Sequence, residues 1–272
     1  MKITSLVENT SLVGLPVEHG LSLHIRMDDG RQVLFDMGQR RLFADNAERL
    51  GINLADVDMA VVSHGHYDHG GGLRTFLGLN SKAKVYVSRH AFEPHYSLRD
   101  DGLKYIGIDP ELETDDRLVF CADVTRIDKD IILFSGVNGD CLKPIGNRLL
   151  FGPAKETNDD FRHEQSLVVR EGVKTILFAG CAHAGIVNIM RKGMLVTGTP
   201  FTHVFAGMHL VKSGLTEKDE ATFIHSLADE LSAHTGCRYF TMHCTGAVQY
   251  GLLKNELDDD ISYMGCGDII EI

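Results

Sequence analysis

The run Ser63-His64-Gly65-His66-Tyr67-Asp68-His69-Gly70-Gly71-Gly72 constrains this chain more than any other stretch. Four metal-competent side chains fall within six residues, spaced His-x-His-x-Asp-His. The residues before them, Asp58-Met59-Ala60-Val61-Val62, read as a short buried strand. Three imidazoles and a carboxylate on one turn suit a loop that folds back on itself so that two metal ions share it. His64 and His66 can face one ion, and Asp68 and His69 its neighbour.

Charge narrows what such a loop can act on. The chain has 272 residues, 38 acidic against 27 basic, for a formal net charge of -11. With no Lys/Arg run to hold a phosphate backbone, a nucleic-acid substrate is not expected. Trp is absent, so stacking platforms have few candidates. The six cysteines are scattered without a C-x-x-C pair, which reads as reduced thiols in a cytoplasmic protein. No stretch approaches the 18 apolar residues of a membrane span, so no membrane partner is expected. The length suits a single domain spanning 1–272.

Periodicity places the loop in an α/β chain. Leu21 to Ile25 alternates, Asp28-Asp29-Gly30 turns, and Gln32 to Asp36 runs back. A helix is predicted from about Arg41 to Leu50, stopped by Gly51. An apolar segment from Leu73 to Leu79 starts another helix, and Lys84–Ser88 is a strand. Residues about 97–160 lack a long helical period. Strands are predicted there at 117–121, 131–135 and 148–151, as an insertion or extended β region that walls a substrate cleft. Regular alternation then resumes: strands at 166–169 and 175–179, a helix near 185–191, a strand at 203–206, a helix at 216–233 capped by Thr216, and a strand at 238–242.

Several of these strands end in a small or apolar residue followed by a metal-competent one. Ser63 leads to His64, Gly180 to Cys181 and then His183, Met208 to His209, and Met242 to His243 and Cys244. Sites of open α/β folds assemble at the carboxyl ends of strands, so four such ends point to one convergent site. His163, in Arg162-His163-Glu164-Gln165, is polar and near a strand start and is a further candidate. His19, His24, His90, His95, His203, His225 and His234 have no ligand-type neighbours in sequence and read as surface or satisfied-core residues.

At these residues the chain resembles the metallo-β-lactamase superfamily, whose hallmark is the His-x-His-x-Asp-His loop. Gly180-Cys181-Ala182-His183-Ala184-Gly185-Ile186-Val187-Asn188, Gly207-Met208-His209-Leu210, Met242-His243-Cys244-Thr245-Gly246 and the terminal Gly265-x-Gly267-Asp268-Ile269-Ile270-Glu271-Ile272 are similar to motifs of its dihydropterin/aminobenzene-phosphate-synthase-like branch, the superfamily II metal-dependent hydrolases. The likeness spans residues 1–95 and 161–272. It implies a four-layer αβ/βα sandwich with an inserted β-rich segment at about 97–160. It also implies that Asp36 supports the histidine loop from behind. Many relatives carry Gly-Asp at a strand end, where the Asp bridges both metals; here Cys181 follows Gly180, as a ligand or as a lining residue.

The resemblance implies a metal-dependent hydrolase in which His64, His66 and His183 hold one ion and Asp68, His69 and His243 the other, with His163 as the alternative to His183. Two divalent ions, zinc first and iron or manganese as alternatives, would activate a hydroxide against a small ester, phosphoester or pterin-phosphate-like substrate. Asp68 would orient that hydroxide, and His209 would bind or protonate the leaving oxygen. The competing expectation is a non-hydrolytic di-metal protein, redox or sensor, on the same fold. A homodimer is the working expectation for assembly.

Overall fold

The computed structural model describes residues 1–211 and 214–272. Period-two burial sorts its strand side chains between two spaces. In Gln32–Phe35, Val33 and Phe35 pack toward a central core while Leu34 packs outward. In Lys174–Ala179, Ile176 and Phe178 pack inward and Leu177 and Ala179 outward. Strands apolar on both faces need a layer on each side, and the fold supplies them.

One seven-stranded sheet runs in the order Ile269–Glu271, Lys2–Val7, Ser22–Arg26, Gln32–Phe35, Met59–Val61, Lys84–Val87, Leu118–Phe120. The other runs Ile261–Tyr263, Arg238–Thr241, His203–Ala206, Lys174–Ala179, Gln165–Glu171, Ile131–Ser135, Val124–Arg126. Between them lies a core of Phe35, Phe178, Phe205, Phe240 and neighbouring aliphatics. Phe43, Phe76 and Leu77 of helices Leu42–Arg49 and Leu73–Leu79 cover the outside of the first sheet. Helices Ile186–Thr197, Glu217–Ser232 and Ala247–Leu257 cover the second. This is the predicted four-layer αβ/βα sandwich.

Thr216 caps the Glu217–Ser232 helix by accepting the Asp219 amide at 3.2 Å, and Gly51 follows Leu42–Arg49 in the left-handed region (φ 71°). The Ile186–Thr197 helix runs six residues past its predicted end at 191, to a left-handed Gly198. The helix Ala247–Leu257 has no counterpart in the sequence reading. Only Leu253 and Leu257 are buried in it, and Val248 is exposed, so it lacks the stripe that would announce it.

The 97–160 segment divides three ways. Leu118–Phe120 extends the first sheet, Val124–Arg126 and Ile131–Ser135 extend the second, and Tyr96–Arg99, Gly102–Tyr105 and Leu150–Phe151 form a small separate sheet. The register of the central strands matters most for the site. Lys174–Ala179, His203–Ala206 and Arg238–Thr241 are parallel, with Ala179, Ala206 and Thr241 side by side. Their carboxyl ends therefore deliver Cys181, His209 and His243 to one edge, where the turn after Met59–Val61 delivers His64.

Candidate metal centre

Asp36 organises the histidine loop. It follows its strand in the left-handed region (φ 60°), which turns its carboxylate under the loop. The Ser63 amide donates to Oδ1 at 2.7 Å and the Ser63 hydroxyl to Oδ2 at 2.7 Å. Because the hydroxyl proton is used there, the Ser63 oxygen accepts from His64 Nδ1 at 2.8 Å. His69 Nδ1 lies 2.6 Å from Asp36 Oδ2. Both rings thereby carry their proton on Nδ1 and turn an Nε2 lone pair toward the site.

Two asparagines set the other rings. Asn9 Oδ1 accepts the Gly20 amide at 3.2 Å and faces His243 Nδ1 at 2.9 Å, while Asn9 Nδ2 donates to the His243 carbonyl at 3.3 Å. Asn147 repeats the device, with Oδ1 3.0 Å from His183 Nδ1 and Nδ2 donating to the His183 carbonyl at 2.8 Å. The partners orient each amide, so His183 and His243 also protonate at Nδ1 and present Nε2.

Four imidazoles thus aim lone pairs into one buried space. His69 Nε2 and His243 Nε2 stand 3.2 Å apart, and Asp68 Oδ2 is 3.4 Å from His243 Nε2. In neutral rings these are three acceptors with no donor among them. A proton or a metal ion must lie between. His64 Nε2 is 3.0 Å from His66 Nδ1, and the buried Nε2 atoms of His66 and His183 have no partner. Donor atoms of His64, His66 and His183 lie within 4.8 Å of one another, as do those of His64, His69 and Cys181 and those of His19, Asp68 and His243. Orphaned acceptors at this density fit a cation.

The electrostatics express the same need. Burial, reinforced by neighbouring imidazoles, holds His64 and His183 well below the ordinary histidine range, and burial does the same for His66. His69 goes the other way: burial alone would lower it, but the Asp36 carboxylate overcomes that and raises it. Burial would raise Asp68, yet bonds to His19 and His243 hold it well below the carboxylate range. Glu164 is pushed up to about 7 by burial, against the amides of His183 and Ala184 that donate to it at 2.7 and 2.9 Å.

His163, the alternative to His183, faces elsewhere. Its Nδ1 accepts the Gly65 amide at 2.9 Å and its Nε2 donates to Asp159 Oδ2 at 3.2 Å, so both ring nitrogens are used. His209 stands beside His183, with ring centroids 4.4 Å apart, and its buried Nδ1 has no partner. His209 and His243 both have positive φ (46° and 52°), the tight turns that aim strand-end side chains back into the site. His19 is the residue that sequence reasoning passed over. It is half-exposed, yet its Nε2 lies 3.2 Å from Asp68 Oδ2. The one local signal was the following glycine: a Cβ at Gly20 would lie 2.6 Å from the Asp68 carbonyl oxygen.

The sequence profile of the metallo-β-lactamase superfamily matches residues 15–203. The chain belongs to the metallo-β-lactamase superfamily. A crystal structure of Tm1679, described as a metal-dependent hydrolase of the β-lactamase superfamily, matches with a TM-score of 0.83 at 30% identity and covers 100% of this chain and 99% of that one. An uncharacterized protein of Methanocaldococcus jannaschii, MJ0448, is 30% identical over 90% of each chain. From the same organism, 7,8-dihydropterin-6-methyl-4-(beta-D-ribofuranosyl)-aminobenzene-5'-phosphate synthase is 24% identical over 100% of this chain and 96% of its own. Metal ions are typical of this superfamily, and the His, Cys and Asp groups here can hold them.

A cleft of about 120 Å³ opens on the centre. Its floor carries His66, Asp68, Cys181, His209 and His243; its walls carry Leu98, Arg99 and Ile106 from one side of the 97–160 segment and Leu149 and Leu150 from the other. Arg99 is the only Arg or Lys among the described lining residues. Another hollow, by helix Leu42–Arg49, holds Arg41 and Glu48 but no histidine or cysteine. Among the described residues no helix is long and apolar enough to cross a membrane.

Proposed function

We propose that this protein is a metal-dependent hydrolase with a dinuclear centre, in which His64, His66 and His183 hold one divalent ion and Asp68, His69 and His243 hold the other. The observation that carries the reading is the meeting of His69 Nε2 and His243 Nε2 at 3.2 Å beside Asp68 Oδ2, each Nδ1 being committed to a carboxylate or amide oxygen. His183 is preferred to His163 because its Nε2 is free and both nitrogens of His163 are engaged. An imidazole-rich set with one carboxylate favours zinc, with iron or manganese as alternatives. When bound, such ions supply Lewis acidity and a water that ionises near neutral pH.

The chain's own groups do the rest. Asp68 sits between His19 and His243 and can orient a nucleophile by accepting its proton. His209 lines the cleft beside His183 and can hold or protonate a leaving oxygen. Asp36, Asn9 and Asn147 fix the ring tautomers and exclude alternative rotamers. The cleft suits a small molecule with an apolar body and an anionic group, which Arg99 would hold beside Leu98 and Leu150. Small phosphoesters head that class. The relationship to a synthase of a phosphate-bearing pterin compound supports a second reading, a synthase acting on a similar anionic aromatic substrate.

Elemental analysis of purified protein, with a panel of phosphodiester, thioester and lactone substrates, tests the proposal. The expected result is two ions per chain and turnover of an anionic ester that Asp68→Ala lowers by about a thousandfold while the protein stays folded. Retained turnover in that variant sinks the mechanism. Two ions with no hydrolysis of any ester would favour the synthase.

A further inference from the structure

Two of the six cysteines meet at the floor of the cleft. All six are free thiols, and Cys181 and Cys244 are both buried. They follow the strands Lys174–Ala179 and Arg238–Thr241, which His203–Ala206 separates in the sheet. Side chains from strands that are not neighbours meet here because Gly207, just past the middle strand, has none. A Cβ on Gly207 would lie 2.6 Å from Cys244 Sγ and 3.6 Å from Cys181 Cα. Cys244 Sγ is 3.8 Å from the Cys181 carbonyl oxygen, and the two sulfurs fall within 4.8 Å of each other in a group with His243. The His209 amide donates to Cys244 Sγ at 3.3 Å. On the far side, the Cys181 S–H donates at 3.1 Å to His69 Nε2, the lone pair left over when Nδ1 serves Asp36. Both cysteines line the cleft, so a molecule as small as a peroxide reaches them. A disulfide needs its sulfurs about 2 Å apart, and the two strand-end turns are the segments that must close the gap.

We propose that Cys181 and Cys244 are an oxidation site, which a peroxide entering the cleft of the metal-free protein joins as a disulfide across Gly207. The Cys181 sulfur attacks a peroxide oxygen. An S–O bond forms, the O–O bond breaks, and the thiol proton, taken first by His69, ends on the water released. Cys244 then attacks that sulfur, the S–S bond forms, the S–O bond breaks, and a second water leaves with the Cys244 proton. The two sulfurs together lose two electrons and the peroxide gains them. Without Cys244 the oxidation of Cys181 runs on to a sulfinic acid, which thiols do not reverse. Bridged sulfurs are no longer available as thiolates, so the oxidised pair is withdrawn from any bound cation.

Peptide mapping of the full chain tests this without any substrate. Chelator-treated protein is exposed to hydrogen peroxide, then alkylated under denaturing conditions and digested. The expected result is a linked pair of peptides carrying Cys181 and Cys244, with the intact mass lower by two hydrogens and two alkylation sites lost. Dithiothreitol should restore both. Cys244→Ser should give no link and a sulfinic acid on Cys181; Cys181→Ser should give no link. Three outcomes would each overturn the proposal: both thiols staying free, either one linking to a different cysteine, or sulfinic acid forming on Cys181 as readily in the unsubstituted protein as in Cys244→Ser. Metal content measured before chelation judges the two-ion reading separately. Protein purified without metal that still links the pair would overturn that reading and leave the oxidation site standing.

Discussion

Two buried histidine–aspartate clusters lie side by side in this protein and do different things. In the first, His64, His69, His183 and His243 have their Nδ1 protons committed to acceptors and their Nε2 lone pairs turned inward. In the second, next to it across His66, Asp159 Oδ2 takes His163 Nε2 at 3.2 Å and faces His95 Nδ1 at 2.9 Å, His163 Nδ1 accepts the Gly65 amide, and His95 Nε2 reaches the His90 carbonyl at 3.3 Å. The ring centroids of His66 and His163 are only 5.3 Å apart. Residue type and burial are the same in both. What separates a candidate metal centre from a structural network is whether the acceptors are left over or used up.

Acid should weigh more heavily on the first cluster than on the second. Burial holds His64, His66 and His183 neutral in the fold, while the unfolded chain protonates them as pH falls through about 6.5. The unfolded state then binds more protons, so stability is full above that pH and is lost below it. Each such group contributes about 1.4 kcal/mol per pH unit, roughly 4 kcal/mol for the three. His163 is lowered as well and adds to this slope, while His69, raised by the Asp36 carboxylate, opposes it. Asp159, whose burial penalty is outweighed by His163 and His95, is depressed; its share is lost only below the ordinary carboxylate value of about 4. Urea midpoints of chelator-treated protein should therefore fall from pH 7 to pH 5; a flat profile would remove the distinction.

Asp36→Asn should come next. It weakens the tautomer control of His69 directly and of His64 through Ser63, and a lost supporting carboxylate costs about 10–100-fold in metal affinity. Competition with a chromophoric chelator measures this. Asp159→Asn should leave metal affinity and stoichiometry unchanged and cost about 1–3 kcal/mol of stability, since it removes a buried charged acceptor from two imidazoles. A drop in metal content there would show that the clusters act as one. The smallest effect is expected from Asn9→Ala, about tenfold in affinity, because the Glu8 carboxylate still holds the His243 amide at 2.6 Å.

The histidine loop was legible because its chemistry is local. His64 through His69 are neighbours in sequence, and the strand behind them is an apolar run. The sandwich was legible for a similar reason, since period-two burial in strands such as Lys174–Ala179 is written residue by residue. His19 was not legible, and for His95 the satisfied-core role was legible but its partner was not. His19 reaches Asp68 only because the 8–20 segment folds over the site, and His95 meets Asp159 across 64 residues. The Ala247–Leu257 helix was hidden because its packing leaves no periodic stripe.

The sequence by itself determined the ligand types, the loop that carries half of them and the strand ends that carry the rest, since spacing and alternation are properties of the chain. Only the tertiary structure decided which imidazoles are free. A histidine becomes a ligand or a strut according to what meets its second nitrogen; Asp36, Asn9 and Asn147 arrive from distant parts of the chain, and Asp159 joins His163, four residues on, to His95, 64 residues back.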